Sequence, residues 1–176
     1  MKILILSIIL SFVVSGCAST IGYNLSVGSE ESVMKGITYD YDKFQKHGWL
    51  ATELYLSSGG SSYNSVTYKF RALYEDNKRS FIQIYGRMGS SSWCFLESAF
   101  DEKGNEYKFS QIDREVISGS GGRIFEHFAL TISKEQLESL TKGNFSFKAI
   151  GSRCDSEFTV DKLVSSVFFN SINSRK

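Results

Sequence analysis

The chain has 176 residues, and its 20 lysines and arginines nearly balance 19 aspartates and glutamates, for a formal net charge of +1. Because there is no basic stretch and no charge asymmetry, the sequence gives no electrostatic footprint for nucleic acid, and we expect no nucleic-acid partner. Proline is absent, so the turns depend on Gly, Asn, Asp and Ser for their backbone angles.

The first 17 residues have the layout of an export signal. Lys2 precedes residues 3–14, which are apolar except for two serines, and small residues follow. A membrane-spanning helix needs about 20 apolar residues, so this run is too short to span a bilayer. The pattern is typical of a secretory signal peptide.

The end of this signal, Val14-Ser15-Gly16-Cys17, resembles the lipobox of bacterial lipoprotein precursors. The resemblance implies that the thiol of Cys17 takes a diacylglycerol, that cleavage makes Cys17 the first residue, and that its amino group is then acylated. The next residue is Ala18, where an aspartate would be the usual inner-membrane retention signal, so the resemblance implies anchoring in the outer membrane. A plain cleavage site and a short uncleaved anchor are the alternatives.

Three segments follow from this interpretation. Residues 1–16 are the signal peptide, residues 17–35 are a lipidated N-terminus that is either a tether or a first strand, and residues 36–176 are a single β-rich domain. Removal of the signal leaves 160 residues, which is the usual size of one domain. Alternating apolar residues from Ile21 to Val27 favour a strand, whereas the Ser and Gly content favours a spacer.

From residue 37 onward, apolar residues recur mostly with a period of two, which predicts antiparallel strands joined by short turns. In the first of these strands we expect Ile37, Tyr39 and Tyr41 to face the core. The predicted strands lie near residues 37–42, 48–57, 66–74, 80–88, 93–100, 107–117, 124–132 and 145–149, with a further one around Phe158.

Three helical segments complete the pattern. Ser29 and Gly36 bound a short turn of helix, and Ser133 and Gln136 have the spacing of a capping box that opens a helix near residues 133–142. Residues 160–172 place apolar side chains on one stripe, which predicts an amphipathic C-terminal helix. The fold class expected is mainly β, either an antiparallel β-sandwich or a partly open barrel.

Two cysteines remain in the exported domain, Cys94 and Cys154. In an oxidising compartment such a pair usually forms a disulfide, and we predict that bond. Closing a loop of about 60 residues would stabilise the domain by roughly 4 kcal/mol on the chain-entropy estimate. The alternative is two separate buried thiols.

No motif for a metal site or a nucleophile stands out. A zinc site would have to combine the two cysteines with His47 and His127, which lack the usual ligand spacing. No GxSxG nucleophile elbow is present, and Asp40 with Asp42 lacks the other ligands of a calcium loop. We therefore expect no metal and no cofactor.

Three glutamates interrupt apolar faces, and two of them could form an acid and base pair if the fold brought them together. They are Glu97, Glu126 and Glu157. The sequence leaves the question of catalysis open and leans toward a protein that is not an enzyme.

Aromatic residues are abundant, with 14 Phe, 9 Tyr and 2 Trp, more than a core of this size requires. Trp49, Tyr63, Trp93 and Tyr107 lie near predicted loops and are candidates for a surface that binds a sugar, a peptide or a partner protein. The function expected is a lipid-anchored, non-catalytic binding or accessory module for an envelope protein or glycan. A lipid-tethered hydrolase of peptidoglycan or glycans and a secretion or envelope-assembly accessory lipoprotein are the alternatives.

Overall fold

The computed structural model describes residues 26–58, 64–117 and 123–175, so Cys17, Tyr63 and the alternating residues 21–25 lie outside the described part. The described elements are, in chain order, α1 (Glu30–Lys35), β1 (Thr38–Asp42), β2 (His47–Ala51), β3 (Tyr55–Leu56), β4 (Ser65–Glu75), β5 (Lys78–Ser90), β6 (Leu96–Asp101), β7 (Lys108–Ile117), β8 (Arg123–Ile132), α2 (Lys134–Leu140), β9 (Phe145–Gly151), β10 (Asp155–Val160) and α3 (Lys162–Ser174).

The strands form two antiparallel sheets that do not close into a barrel. The large sheet has the order β1-β2-β4-β5-β8-β7, and β3 also pairs with β4. The small sheet has the order β10-β9-β6. The mainly β prediction is confirmed, and of the two architectures expected the structure has the sandwich-like one.

The core lies between one face of the large sheet and a layer made of the small sheet and α3. Phe70 of β4 stacks on Phe168 of α3 with ring centroids 5.4 Å apart, and Phe128 of β8 packs against Phe158 of β10 at 5.7 Å. All four rings are fully buried. Val33 is also buried, since α1 packs against α3.

Local signals account for the helix ends and the tightest hairpin. The capping box predicted for α2 is present, with the Ser133 side chain accepting from the backbone of Gln136 and the Gln136 side chain accepting from the backbone of Ser133. The turn between β4 and β5 consists of Asp76 and Asn77, both with positive φ. Asp and Asn tolerate this conformation better than most residues, as a two-residue hairpin turn requires.

Two predicted features differ from the structure. The strand expected over residues 48–57 is split, because the Thr52 hydroxyl accepts the Phe70 amide at 3.1 Å where a ladder carbonyl would otherwise accept it. Tyr41, expected to face the core, is 47% exposed. It pairs with Gly48 near the end of an edge strand, so its partner has no side chain to cover it.

None of the helices in the described ranges has the length and hydrophobicity that crossing a bilayer would require.

Candidate functional site

The face of the large sheet that points away from the core carries a half-buried row of cations and aromatic rings. Directly paired residues in antiparallel strands share a face, and the register places these side chains together across β2, β4, β5 and β8. We call this surface the basic-aromatic face and define it as Trp49, Lys69, Arg71, Phe81, Gln83, Tyr85, Arg87, Phe125 and His127. In the described ranges, every contact recorded for these side chains is with another residue of the large sheet.

The centre of the face is an arginine held between two rings. The guanidinium carbon of Arg71 lies 4.7 Å from the centroid of the Trp49 ring and 4.8 Å from that of Tyr85. Its Nε donates to Gln83 Oε1 at 2.9 Å. The ammonium of Lys69 lies 5.2 Å from the Tyr85 ring. Such cation-π contacts hold both charged groups against the sheet.

Burial shifts the pKa values of the side chains at this centre. It lowers the pKa of Lys69, and the neighbouring charge of Arg71 lowers that pKa further. Burial also lowers the pKa of Arg71 and raises that of the Tyr85 hydroxyl. Lys69 and Arg71 are both partly withdrawn from water. A charge in such a position is less favourable than in open water unless a carboxylate pairs with it.

The other half of the face is a neutralised network. Arg87 Nη2 donates to Glu115 Oε1 at 3.0 Å, and His127 Nε2 lies 3.0 Å from the same oxygen. His127 Nδ1 contacts the Tyr85 hydroxyl, and the guanidinium of Arg87 lies 3.7 Å from the Phe125 ring centroid. Here Arg87 has a carboxylate partner, whereas none is recorded within the described ranges for Lys69 or Arg71.

The aromatic residues predicted from the sequence to bind a partner lie in separate places where the structure describes them. Trp49 lies on the basic-aromatic face, whereas Trp93 is half-buried beside Phe95, between β5 and β6. Tyr107 is only 8% exposed; its ring packs edge-on against Phe147 and its hydroxyl donates to Asp101. No recorded contact joins Trp49, Trp93 and Tyr107, and Tyr63 lies outside the described residues.

The glutamates considered for catalysis also have separate environments. Glu126 is fully buried, and its carboxylate accepts backbone N–H groups of Cys94, Phe95 and Leu96 at 2.6, 3.0 and 3.0 Å. These bonds give Glu126 a structural role. Glu97 and Glu157 are exposed.

An open pocket of about 690 Å³ lies beside Asp101 and is lined by polar residues that include Gln136 and Asn144. Burial raises the pKa of Asp101, but hydrogen bonds from Asn105, Lys103 and Tyr107 together outweigh it, so this pKa is lowered. A carboxyl with a lowered pKa is ionised at neutral pH, which is the opposite of what a general acid needs.

The predicted bond between Cys94 and Cys154 is present. The two thiols are therefore unavailable to a metal ion, and no group of three or more His, Cys, Asp or Glu residues within the described ranges could hold one. Asp42 accepts the backbone N–H groups of Phe44 and Gln45, so its carboxylate shapes the turn after β1.

Sequence reasoning missed the cations at the centre of the basic-aromatic face. Strand periodicity gives no reason to single out Lys69 or Arg71, and from the sequence His127 is considered only as a zinc ligand. The available signal was the occurrence of Lys69 and Arg71 at alternate positions of β4, and of Tyr85 and Arg87 at alternate positions of β5.

Comparison of the chain with models of protein families, with curated proteins and with solved structures finds no match.

Proposed function

We propose that this protein is a lipid-anchored envelope protein whose sandwich is a non-catalytic binding module, and that a partner protein binds its basic-aromatic face. The anchor is supported by the signal-like residues 1–17 and by the lipobox resemblance at Cys17. The lipid would hold the module at the membrane and supply no packing inside the domain, since acyl chains contribute membrane affinity.

The observation that carries the binding role is the placement of Arg71 between Trp49 and Tyr85, on a face whose recorded contacts in the described ranges are all within the large sheet. Trp, Tyr and Arg are the residues that most often dominate the binding energy of protein interfaces. An arginine already fixed by two rings loses little further side-chain entropy when a partner docks, so the face is preorganised.

A protein partner fits this face better than a glycan does. Sugars bind proteins largely by stacking on open aromatic faces, whereas Arg71 already lies against the Trp49 ring, and Lys69 and Arg71 both lie against the Tyr85 ring. What the surface offers instead is a set of N–H donors on one face of a sheet, which suits carbonyl and carboxylate acceptors of a polypeptide.

The anchor is tested by changing Cys17→Ser in the full-length chain. Wild type should incorporate radiolabelled palmitate and partition into detergent, and the variant should do neither. A variant that fractionates and labels like wild type would refute the lipoprotein part of the proposal.

The binding surface is tested by incorporating a photo-crosslinking amino acid at Phe81, which lies beside Trp49 on the face. The matched control carries the same crosslinker at Asn170, an exposed position on α3 on the other side of the sandwich. Irradiation of intact cells should give a discrete crosslinked partner from Phe81 and not from Asn170. Absence of any adduct at Phe81, or the same adducts from both positions, would overturn the proposed surface.

A further inference from the structure

We infer that the partner presents an acidic polypeptide segment to the basic-aromatic face, and that carboxylates of this segment pair with Lys69 and Arg71. This inference rests on the proposed function, because it names the chemistry of the partner that the face binds.

The positive charges on the face differ in whether a carboxylate lies close enough to balance them. Arg87 shares Glu115 with His127, so its charge is already balanced. Lys69 and Arg71 take part in none of the ion pairs recorded within the described ranges. Within the described part of the chain, these two adjacent positive charges therefore have no recorded counter-charge.

Most of the hydrogen-bonding capacity of these two cations has no recorded acceptor within the described ranges. The only acceptor recorded for Arg71 in the described part of the chain is Gln83 Oε1, which takes its Nε. The two terminal Nη groups of Arg71 and the ammonium of Lys69 have no recorded acceptor there. A guanidinium with two free terminal nitrogens is suited to a carboxylate, which it binds through two parallel hydrogen bonds.

Partial burial makes these charges responsive to a partner. Burial lowers the pKa of both groups, so their charged forms are held at a cost in the unbound protein. A carboxylate that pairs with these partly desolvated cations interacts more strongly than one paired in open water. The gain is therefore larger here than for an ordinary surface lysine.

The spacing of the two cations favours an extended chain. Lys69 and Arg71 are alternate residues of β4, and so lie about 7 Å apart along the strand. Carboxylates on alternate residues of an extended peptide have the same repeat, so a segment of the form acidic-x-acidic running along β4 matches both cations at once.

The test uses the processed, lipidated protein in neutral detergent micelles and a fluorescent decapeptide of alternating Asp and Ser. Binding should weaken as salt rises, and the Lys69→Gln/Arg71→Gln variant should bind at least tenfold more weakly. The matched control, Lys103→Gln/Lys142→Gln, removes two exposed charges elsewhere and should bind like wild type. A decapeptide of alternating Asn and Ser should not bind.

Thermal melting checks that the double variant is folded. If it is not, Lys69→Gln alone is the second variant, because the one contact recorded for the Lys69 side chain in the described ranges is with the Tyr85 ring. An Asp-Ser peptide that fails to bind wild type, or that binds both double variants equally, overturns the inference. Polygalacturonate that binds in place of the peptide, with the same dependence on Lys69 and Arg71, overturns the polypeptide assignment.

Failure of this inference is distinct from failure of the proposed function. If the crosslinker at Phe81 captures the same partner in wild type and in Lys69→Gln/Arg71→Gln cells, the binding surface stands and the acidic pairing is wrong. If it captures nothing in either, the proposed function itself fails.

Discussion

The buried carboxylate of Glu126 holds Phe95 in a left-handed backbone conformation. Glu126 Oε1 accepts the Phe95 amide at 3.0 Å, while the amides of Cys94 and Leu96 bind the same carboxylate on either side. Phe95 has φ of +55°, which is unfavourable for a bulky residue unless its surroundings fix it. Arg114 Nε lies 3.6 Å from Glu126 Oε2. One side chain of β8 thus anchors the chain that enters β6.

Removing this anchor should destabilise the domain strongly. Glu126→Ala leaves three backbone N–H groups without their acceptor and removes the counter-charge of Arg114, so we expect a loss of about 3–5 kcal/mol in the free energy of unfolding. Glu126→Gln keeps one acceptor oxygen and should fall between this variant and wild type. Urea unfolding measures the effect.

The control is Glu97→Ala, which changes an exposed glutamate of β6 and should alter stability by no more than about 0.5 kcal/mol. Equal urea midpoints for the Glu126 and Glu97 variants would show that the hydrogen-bonded carboxylate does not anchor Phe95.

The disulfide should stabilise the domain because it closes a long loop. Cys94 and Cys154 are separated by 60 residues, with Cα atoms 4.9 Å apart. The Cys94→Ala/Cys154→Ala variant should lose roughly 4 kcal/mol on the chain-entropy estimate. Alkylation of wild type under denaturing, non-reducing conditions should label neither Cys94 nor Cys154, and labelling of both would contradict the bond.

Because Cys94 also donates to Glu126, the disulfide and the carboxylate act on the same segment. The triple variant with Glu126→Ala should therefore lose less stability than the two effects added, since interacting sites are non-additive. Strict additivity would argue that the two features act independently.

Most of the secondary structure could be predicted because its signals are local. The alternation from Val66 to Tyr74 identifies β4, and the Ser133 capping box identifies the start of α2, without reference to any distant residue. The break in the predicted strand at Thr52 could not be predicted from local signals. The Thr52 hydroxyl accepts the backbone amide of Phe70, and that contact depends on how β2 and β4 align.

The candidate site depends on long-range order that periodicity does not contain. Arg71 lies between Trp49 and Tyr85 only because β4 is flanked by β2 and β5. His127 reaches Tyr85 only because β8 pairs with β5, although β6 and β7 intervene in the sequence. Strand alternation indicates which side chains share a face within one strand, and it leaves open which strands are neighbours.

Asp101 should make stability depend on acid pH. Hydrogen bonds from Lys103, Asn105 and Tyr107 outweigh burial and place the pKa of this carboxyl below its ordinary value. Its stabilisation is therefore fully present above the unfolded pKa of about 3.9 and is lost as pH falls through the lower folded pKa.

We expect Asp101→Asn to be less stable than wild type at pH 7, with the difference shrinking between pH 5 and pH 2. Urea midpoints measured across this range test it, with the neighbouring exposed Glu102→Gln as control. Curves for wild type and Asp101→Asn that stay parallel down to pH 2 would rule out the ionised carboxylate as the source of stability.

Any side chain at Gly86 should destabilise the domain, because it would overlap a buried ring. It lies on β5 opposite Phe128, and a Cβ at this position would overlap the Phe128 ring. That ring is fully buried and packs against Phe109 at 5.6 Å and Phe158 at 5.7 Å, so it has no free space to enter. Gly86→Ala should therefore destabilise the domain by about 1–3 kcal/mol through overpacking.

Gly143→Ala is the matched control, because a Cβ there meets open space and should change stability by about 0.5 kcal/mol or less. Since Tyr85 and Arg87 flank Gly86 on the same strand and point to the opposite face, any shift of β5 away from Phe128 should also move the basic-aromatic face. Gly86→Ala should accordingly weaken capture of the partner by the Phe81 crosslinker at temperatures where circular dichroism shows the variant still folded. Unchanged unfolding midpoints for Gly86→Ala would mean that the Phe128 ring can relax, contrary to the tight packing around it.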